Sequence, residues 1–593
     1  MWHSRWLIIG LFFACSFMLS LESSGLAAET KKNASAKAAA KAKKADPAAL
    51  KKKLQATAKA KKAEAKRAAD EQLALERAKV PPVFEPVVLA NLAKLPEAHD
   101  AKLLAALIDR QINATLAAEA IVPSPRCNDE EFLRRLYLDL TGVIPTAEQA
   151  RTFLDATNPN KRAELIDQLL ASPHYGRQQA DRWISKLFPT DSGNRFILKN
   201  PLYQWLMDQF NANLRWDQMV FNLVTATGTV DINPAVTYFL ANRSVDKLTD
   251  SATQHFLGIQ LQCAQCHNHP FTGWKQSEYW GIAAFFSKVM ADKPRNANQG
   301  GDNSQIGVRE GPGKTRARDF FPEAAMDVKA KFLGGAEPEL QSAMPFRPVL
   351  ARWMVSPENP YFAKAMVNRT WGQLFGRGFV NPIDDMHPDN PPSHPQLLED
   401  LANAFAGSGF DLKYLIKAIC LSETYQRSSK PTGGNENDEY YFSHMRMKVF
   451  TPEQLYDSLS LVIDTNRPTA PARGKAKAQA PKRNATLARD QFVQFYLAGS
   501  EQANPIAYDA GIPQALRLMN SRLAGNPAVA RQIVGQDSSV DQALDNLLLA
   551  TLSRRPTEAE RQRWKAFIAE TEVTAYADLL WAILNSSEFS MVR

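Results

Sequence analysis

Cys263, Cys266 and His267 stand in the spacing C-x-x-C-H, inside the run Leu261-Gln262-Cys263-Ala264-Gln265-Cys266-His267-Asn268-His269-Pro270. Two thiols three residues apart can each add to one vinyl group of a porphyrin and form thioethers. The adjoining imidazole is then carried beneath the ring as the proximal iron ligand. The pattern predicts a single haem c held by Cys263, Cys266 and His267, with the iron on His267. Two other chemistries use the same atoms. Thiolates at Cys263 and Cys266 with His269 or His267 suit zinc, though a second ligand pair from elsewhere is needed to close the site. A disulfide between the two cysteines is the third reading, and its redox-enzyme form expects a βαβ setting. His255, His269 and Met290 are the candidates for a distal haem ligand, each with a plain structural alternative.

A secondary candidate site is the acidic run Asp384-Asp385-Met386-His387-Pro388-Asp389. Asp384, Asp385 and His387 could bind a hard metal ion or work as acid and base, and would complete a zinc site if the fold brought them close. The bland alternative is a solvated loop that caps helices. Arg369 and Arg377 are candidates for buried ion pairs with Asp384 or Asp385. The chain has no phosphate-cradling glycine loop, no nucleophile elbow and no H-E-x-x-H. No catalytic residue emerges, and whether the chain is an enzyme stays open.

The elements that must position these residues are helices. Phe132, Leu133, Leu136 and Leu140 form one apolar stripe, ending near Thr141-Gly142, and Thr146 with Gln149 makes a capping box for the next helix. Ser251 to Gln262 is predicted as a helix delivering the C-x-x-C-H. Trp183, Trp205 and Trp216 read as core. A helix from Asn359 to Phe375 closes at Gly376-Arg377-Gly378, and Ser393 is predicted to cap the following one. Leu412, Leu415, Ile416, Ile419 and Cys420 share a face, so the Cys420 thiol should be buried and free. Thr451 with Gln454 and Thr557 with Glu560 are further capping boxes. No period-2 run of useful length is present, and the fold class is mostly α: two helical domains joined by an irregular linker.

The 593 residues exceed one core, and 45% hydrophobic content is ordinary for a globular protein. The formal charge of +9 is local: residues 31–79 hold 16 Lys/Arg against 5 Asp/Glu, so the remainder is close to neutral. That argues against a nucleic-acid-binding body, which carries its basic patch on the folded surface. Five cysteines are too few for a disulfide scaffold. Residues 1–28 have the basic start, apolar run and small residues of a signal peptide, with cleavage near Ala27 or Ala28. The expected location is the periplasm or cell envelope, outside the inner membrane, where haem c is attached. An uncleaved anchor is the alternative.

The organisation that follows is a signal peptide (1–28), a Lys/Ala-rich basic arm (29–80), and a linker with a leading helix (81–124). A domain carrying the C-x-x-C-H (125–290), a linker (291–340) and a helical companion (341–593) with a low-complexity insertion at 467–485 come next. The arm is a solvated or disordered spacer, or an electrostatic tether to anionic lipid or envelope polymer. A redox partner in the envelope is the other partner expected.

Several phrases resemble a known family. Leu136-Tyr137-Leu138-Asp139-Leu140-Thr141-Gly142, Leu169 to Gly176, Cys263 to Pro270 and Ala283-Ala284-Phe285-Phe286 resemble the planctomycete cytochrome-c-like domain of unknown function, family fifteen-forty-nine of that series. Asn368 to Gly378, Asp384-Asp385, Pro391 to Pro395 and Ser422 to Gln426 are similar to its C-terminal companion, family fifteen-fifty-three. Together they cover about 125–593. The resemblance implies large exported proteins of planctomycete-type bacteria with no settled activity, whose cytochrome label rests on the same C-x-x-C-H.

Overall fold

The computed structural model describes residues 100–189, 199–291, 306–311, 328–341, 344–463, 483–497, 519–520, 525–535, 538–571 and 574–592. The expected signal peptide and basic arm lie outside the described residues, as does the 467–485 insertion up to residue 482. Residues 483–485 open a helix, Arg483–Leu497, in place of the predicted loop.

Helices dominate, as their sequence patterns require. In α1 (Ala101–Ala118) Leu104, Ile108, Ile112 and Leu116 fall four apart and are all buried, and Asp100 caps the start by accepting from Lys102 N at 2.8 Å. Helix α2 (Asp129–Thr141) is different, because every residue from Phe132 to Thr141 is buried. A helix enclosed on all sides needs partners for its charged residues. Arg134 donates to Thr551 O at 2.9 Å and Phe589 O at 2.6 Å; Arg135 donates to Tyr425 O at 2.9 Å and Arg427 O at 3.0 Å. Asp139 accepts from Lys448 Nζ at 2.6 Å and from the Tyr425 hydroxyl at 2.9 Å. Gly142 stops the helix at φ 71°, a left-handed conformation that favours glycine, and a Cβ there would displace the Gln178 side chain, whose Oε1 lies 2.2 Å from that position.

The first core runs through Ile108, Phe132, Trp183, Phe256, Phe285, Trp371, Phe405 and Ile416, so residues on both sides of the 291–340 segment share one interior. A second core joins Leu455, Leu459, Leu544, Leu548, Leu580 and Phe589 with Leu138 of α2 and Ile144 beyond it. Helix α2 thus lies between the two: its Leu136 and Leu140 side chains belong to the first and Leu138 to the second.

Five short strands occur among the described residues. β1 (Gly228–Thr229), β2 (Val289–Ala291) and β3 (Gly307–Glu310) form an antiparallel sheet in the order β1-β3-β2. β4 (Lys448–Val449) pairs antiparallel with β5 (Met591–Val592), Lys448 opposite Val592.

Three further helices carry the site. They are α3 (Pro173–Leu187), α4 (Val245–Leu257) and α5 (Gln276–Phe286). A fourth, α6 (Phe362–Phe375), starts where Asn359 Oδ1 accepts from the N–H groups of Tyr361 and Phe362, and ends at Gly376 with φ 79°. Helix α7 (Leu412–Leu421) buries Cys420 as a free thiol. The capping boxes at Thr146/Gln149 and Thr557/Glu560 form as read from sequence, as does that of Thr451/Gln454, which opens α8 (Pro452–Ile463). Two local expectations fail. The helix predicted to reach Gln262 stops at Leu257, because Gly258 adopts φ 69° and turns the chain. Ser393 does not cap Pro395–Gly407: the cap position is His394, and Ser393 Oγ instead meets its ring Nδ1 at 3.0 Å.

Candidate functional site

The C-x-x-C-H leaves α4 on a short irregular passage. Leu261 and Ala264 are buried and pin it, while Gln262, Cys263, Cys266 and His267 face outward. Residues Gln262–Gln265 form one 3₁₀ turn. Cys263 lies within this turn and Cys266 is the residue that caps its end. Both are free and exposed. The turn is fastened to the start of α5: the Gln276 amide donates to Gln265 O at 3.1 Å and Cys266 O at 2.9 Å, and Trp280 Nε1 donates to Gln265 O at 3.1 Å.

The two histidines differ in tautomer. His267 Nδ1 lies 2.7 Å from Asn268 O; a carbonyl only accepts, so the proton sits on Nδ1 and the Nε2 lone pair is available. That arrangement is common among metal-ligating histidines. His269 Nδ1 accepts from the N–H groups of Phe271 (3.3 Å) and Thr272 (3.1 Å), which places its proton on Nε2. Desolvation holds the His269 pKa below the ordinary value, aided by His387 and His267 and opposed by Asp385. Paired thiols on one turn beside an imidazole with a free Nε2 match the donor set of haem c. Among the described residues no group of three or more His, Cys, Asp or Glu stands at metal-holding spacing.

The acidic loop packs against the same region. Met386 N donates to Gly258 O at 2.9 Å, tying it to the end of α4. Asp384 forms a tight ion pair with Arg369, which also donates toward Gln254 O and His255 O and lies 5.2 Å from the Trp183 ring centre. His387 Nε2 lies 3.7 Å from Asp385 Oδ2. The two candidate sites are therefore neighbours, close enough for Asp385 and His387 to act on the charge of His269. Of the distal candidates, His255 is built into the interior on α4, and Met290 is paired opposite Arg309 in the small sheet. Arg377 stacks on Tyr440, 4.3 Å from its ring centre, instead of pairing with the acidic loop.

Residues 107–291 match the family model PSCyt2, a protein of unknown function (DUF1549), and residues 346–568 match PSD1, a protein of unknown function (DUF1553). The chain carries the PSCyt2–PSD1 pair. No curated protein and no solved structure matches it.

Where the PSCyt2 and PSD1 regions meet, the structure holds a cavity of about 580 Å³ that the sequence did not disclose. Its wall includes Gln260, Leu261 and Gln262, the residues that lead into the C-x-x-C-H. PSCyt2 contributes Arg182 and Lys186 from α3, and Lys247, Asp250 and His255 from α4; PSD1 contributes Arg369, Gln373, Asp384 and Lys448. Burial brings the Lys186 pKa down to about 8; nearby Arg369 adds to this and Asp384 opposes it. Burial pushes Asp250 up to about 6 and, with Arg369 and Lys186, holds His255 well below the ordinary histidine value. One sequence signal did exist: Lys247, Asp250, Ser251, Gln254 and His255 make a polar stripe at helical spacing on α4, which otherwise packs into the core.

Proposed function

We propose that this chain is an exported envelope protein whose C-x-x-C-H turn carries one c-type haem through Cys263 and Cys266, with His267 as the proximal ligand. The observation that carries the reading is the His267 Nδ1 contact with Asn268 O, which leaves Nε2 free beside two exposed thiols on one turn. Bound there, the haem would supply one-electron transfer or small-ligand binding at its iron. The chain's own contribution is orientation: the Gln276 and Trp280 hydrogen bonds hold the turn, and the Asn268 carbonyl fixes the ring tautomer. Phe271, 79% exposed on the same loop, offers an apolar rim where an envelope redox partner would dock.

The test is expression of the full precursor in a bacterium with its own haem c maturation system, followed by a pyridine haemochrome spectrum and metal analysis on one sample. A c-type band that survives denaturation and is lost in Cys263→Ala/Cys266→Ala supports the reading. A colourless protein with stoichiometric zinc moves Cys263, Cys266 and His269 into a structural metal site. A colourless, metal-free protein leaves a scaffold or binding role, with the cysteines reduced or joined.

A further inference from the structure

The cavity between the PSCyt2 and PSD1 regions is charged in an unbalanced way. Arg182, Lys186, Lys247, Arg369 and Lys448 face Asp139, Asp250 and Asp384. Two of the carboxylates are already committed, Asp139 to Lys448 and Asp384 to Arg369. Arg182 is held by Gln373 Oε1 at 3.2 Å and Asp139 O at 3.0 Å. Lys186 has no carboxylate at ion-pair distance among the described residues, although its charge is penalised by burial beside Arg369. Arg369 is 2% exposed, and its Nε has no hydrogen-bond partner among the described residues. The Ser185 hydroxyl is likewise buried and unpartnered. Buried donors without partners are costly unless something meets them.

The remaining wall narrows the class of ligand. It is rich in amides, among them Gln178, Asn242, Gln254, Gln260, Gln262 and Gln373, which both donate and accept. No Phe, Tyr or Trp ring lines it among the described residues; the His255 imidazole is its one flat side-chain ring. Its volume is in the usual range for small-molecule sites, roughly 300–1,000 Å³. We propose that this cavity binds a small hydroxyl-bearing oxoanion, a carboxylate, sulfate or phosphate ester on a hydroxylated skeleton, with Lys186 and Arg369 meeting the anion and the amides meeting the hydroxyls. This goes beyond the haem reading and does not depend on it.

The experiment is calorimetric titration of the full chain with glucuronate, glucose 6-sulfate, glucose 6-phosphate, neutral glucose and inorganic sulfate. At least one anionic sugar should bind tenfold or more tightly than glucose and than inorganic sulfate; the tightest identifies the oxoanion. Lys186→Met should weaken that ligand at least tenfold. Gln260→Glu, an exposed change in the wall that leaves the core alone, should weaken it by repulsion about fivefold. Lys565→Gln, a surface change outside the cavity lining, should leave it unchanged. Glucose binding as well as its anions, no saturation by any anionic sugar, or undiminished affinity in both folded cavity variants would overturn the proposal.

Discussion

Lys186 is a lysine held where its charge is disfavoured, and its titration has a calculable sign. Its pKa falls from the ordinary 10.5 to about 8 through burial, and the groups facing it are Arg369, Asp384 and His255. Below pH 8 both folded and unfolded chains carry the proton and the full penalty is present; between about 8 and 10.5 only the unfolded chain retains it, so folded stability rises with pH. Lys186→Met should therefore raise stability near pH 7 by on the order of 2 kcal/mol. Denaturant curves for the two proteins should converge as pH climbs past 8, and a gap of constant size would exclude the mechanism. At the other candidate site, on the proposed haem reading, His267→Ala should change the Soret spectrum. An unchanged spectrum would remove His267 from the iron.

At the level of elements, the loop that delivers Asp384 depends on one amide. Asn368 is fully buried; its amide donates to Val380 O at 2.9 Å and Ile383 O at 3.0 Å, and its Oδ1 accepts from Val380 N at 3.0 Å. Asn368→Ala strands three buried backbone groups and should cost about 2–4 kcal/mol, read as a fall in the urea midpoint. Elements of this kind were partly legible beforehand. The stripes of α2 and α7 and the capping boxes could be written down because periodicity and capping are local. The end of α4 was missed although Gly258 was visible, since glycine only permits a left-handed turn and tertiary packing decides its use. The Arg369–Asp384 pair was foreseen as a residue pairing, whereas the cavity was not: its walls come from residues as distant as Asp139, Gln262 and Val592. No local pattern reports such a convergence.

For the molecule as a whole, charge networks fasten the later helices to the rest. Arg489 of Arg483–Leu497 donates to both Asp181 on α3 and Asp457 on α8, and Arg177 also pairs with Asp457. Near the end of the chain Arg554 bridges Glu560 and Glu588. The Arg554 guanidinium pulls Glu560 down to about 2 from the usual 4.5. Stability from that carboxylate is complete above about pH 4.5 and is lost as pH falls toward 2. An acid titration followed by circular dichroism should show Glu560→Gln losing less over that window than the parent. Equal losses would assign acid sensitivity elsewhere.

The pairing of β4 with β5 has a temporal meaning. Val449 and Val592 both stand in the cavity wall, and their strands come from segments more than a hundred residues apart. Polypeptides are made from the N-terminus onward, so this wall cannot close until residue 592 has emerged and found Lys448. A chain without the Met591–Val592 strand would therefore lack this part of the cavity wall.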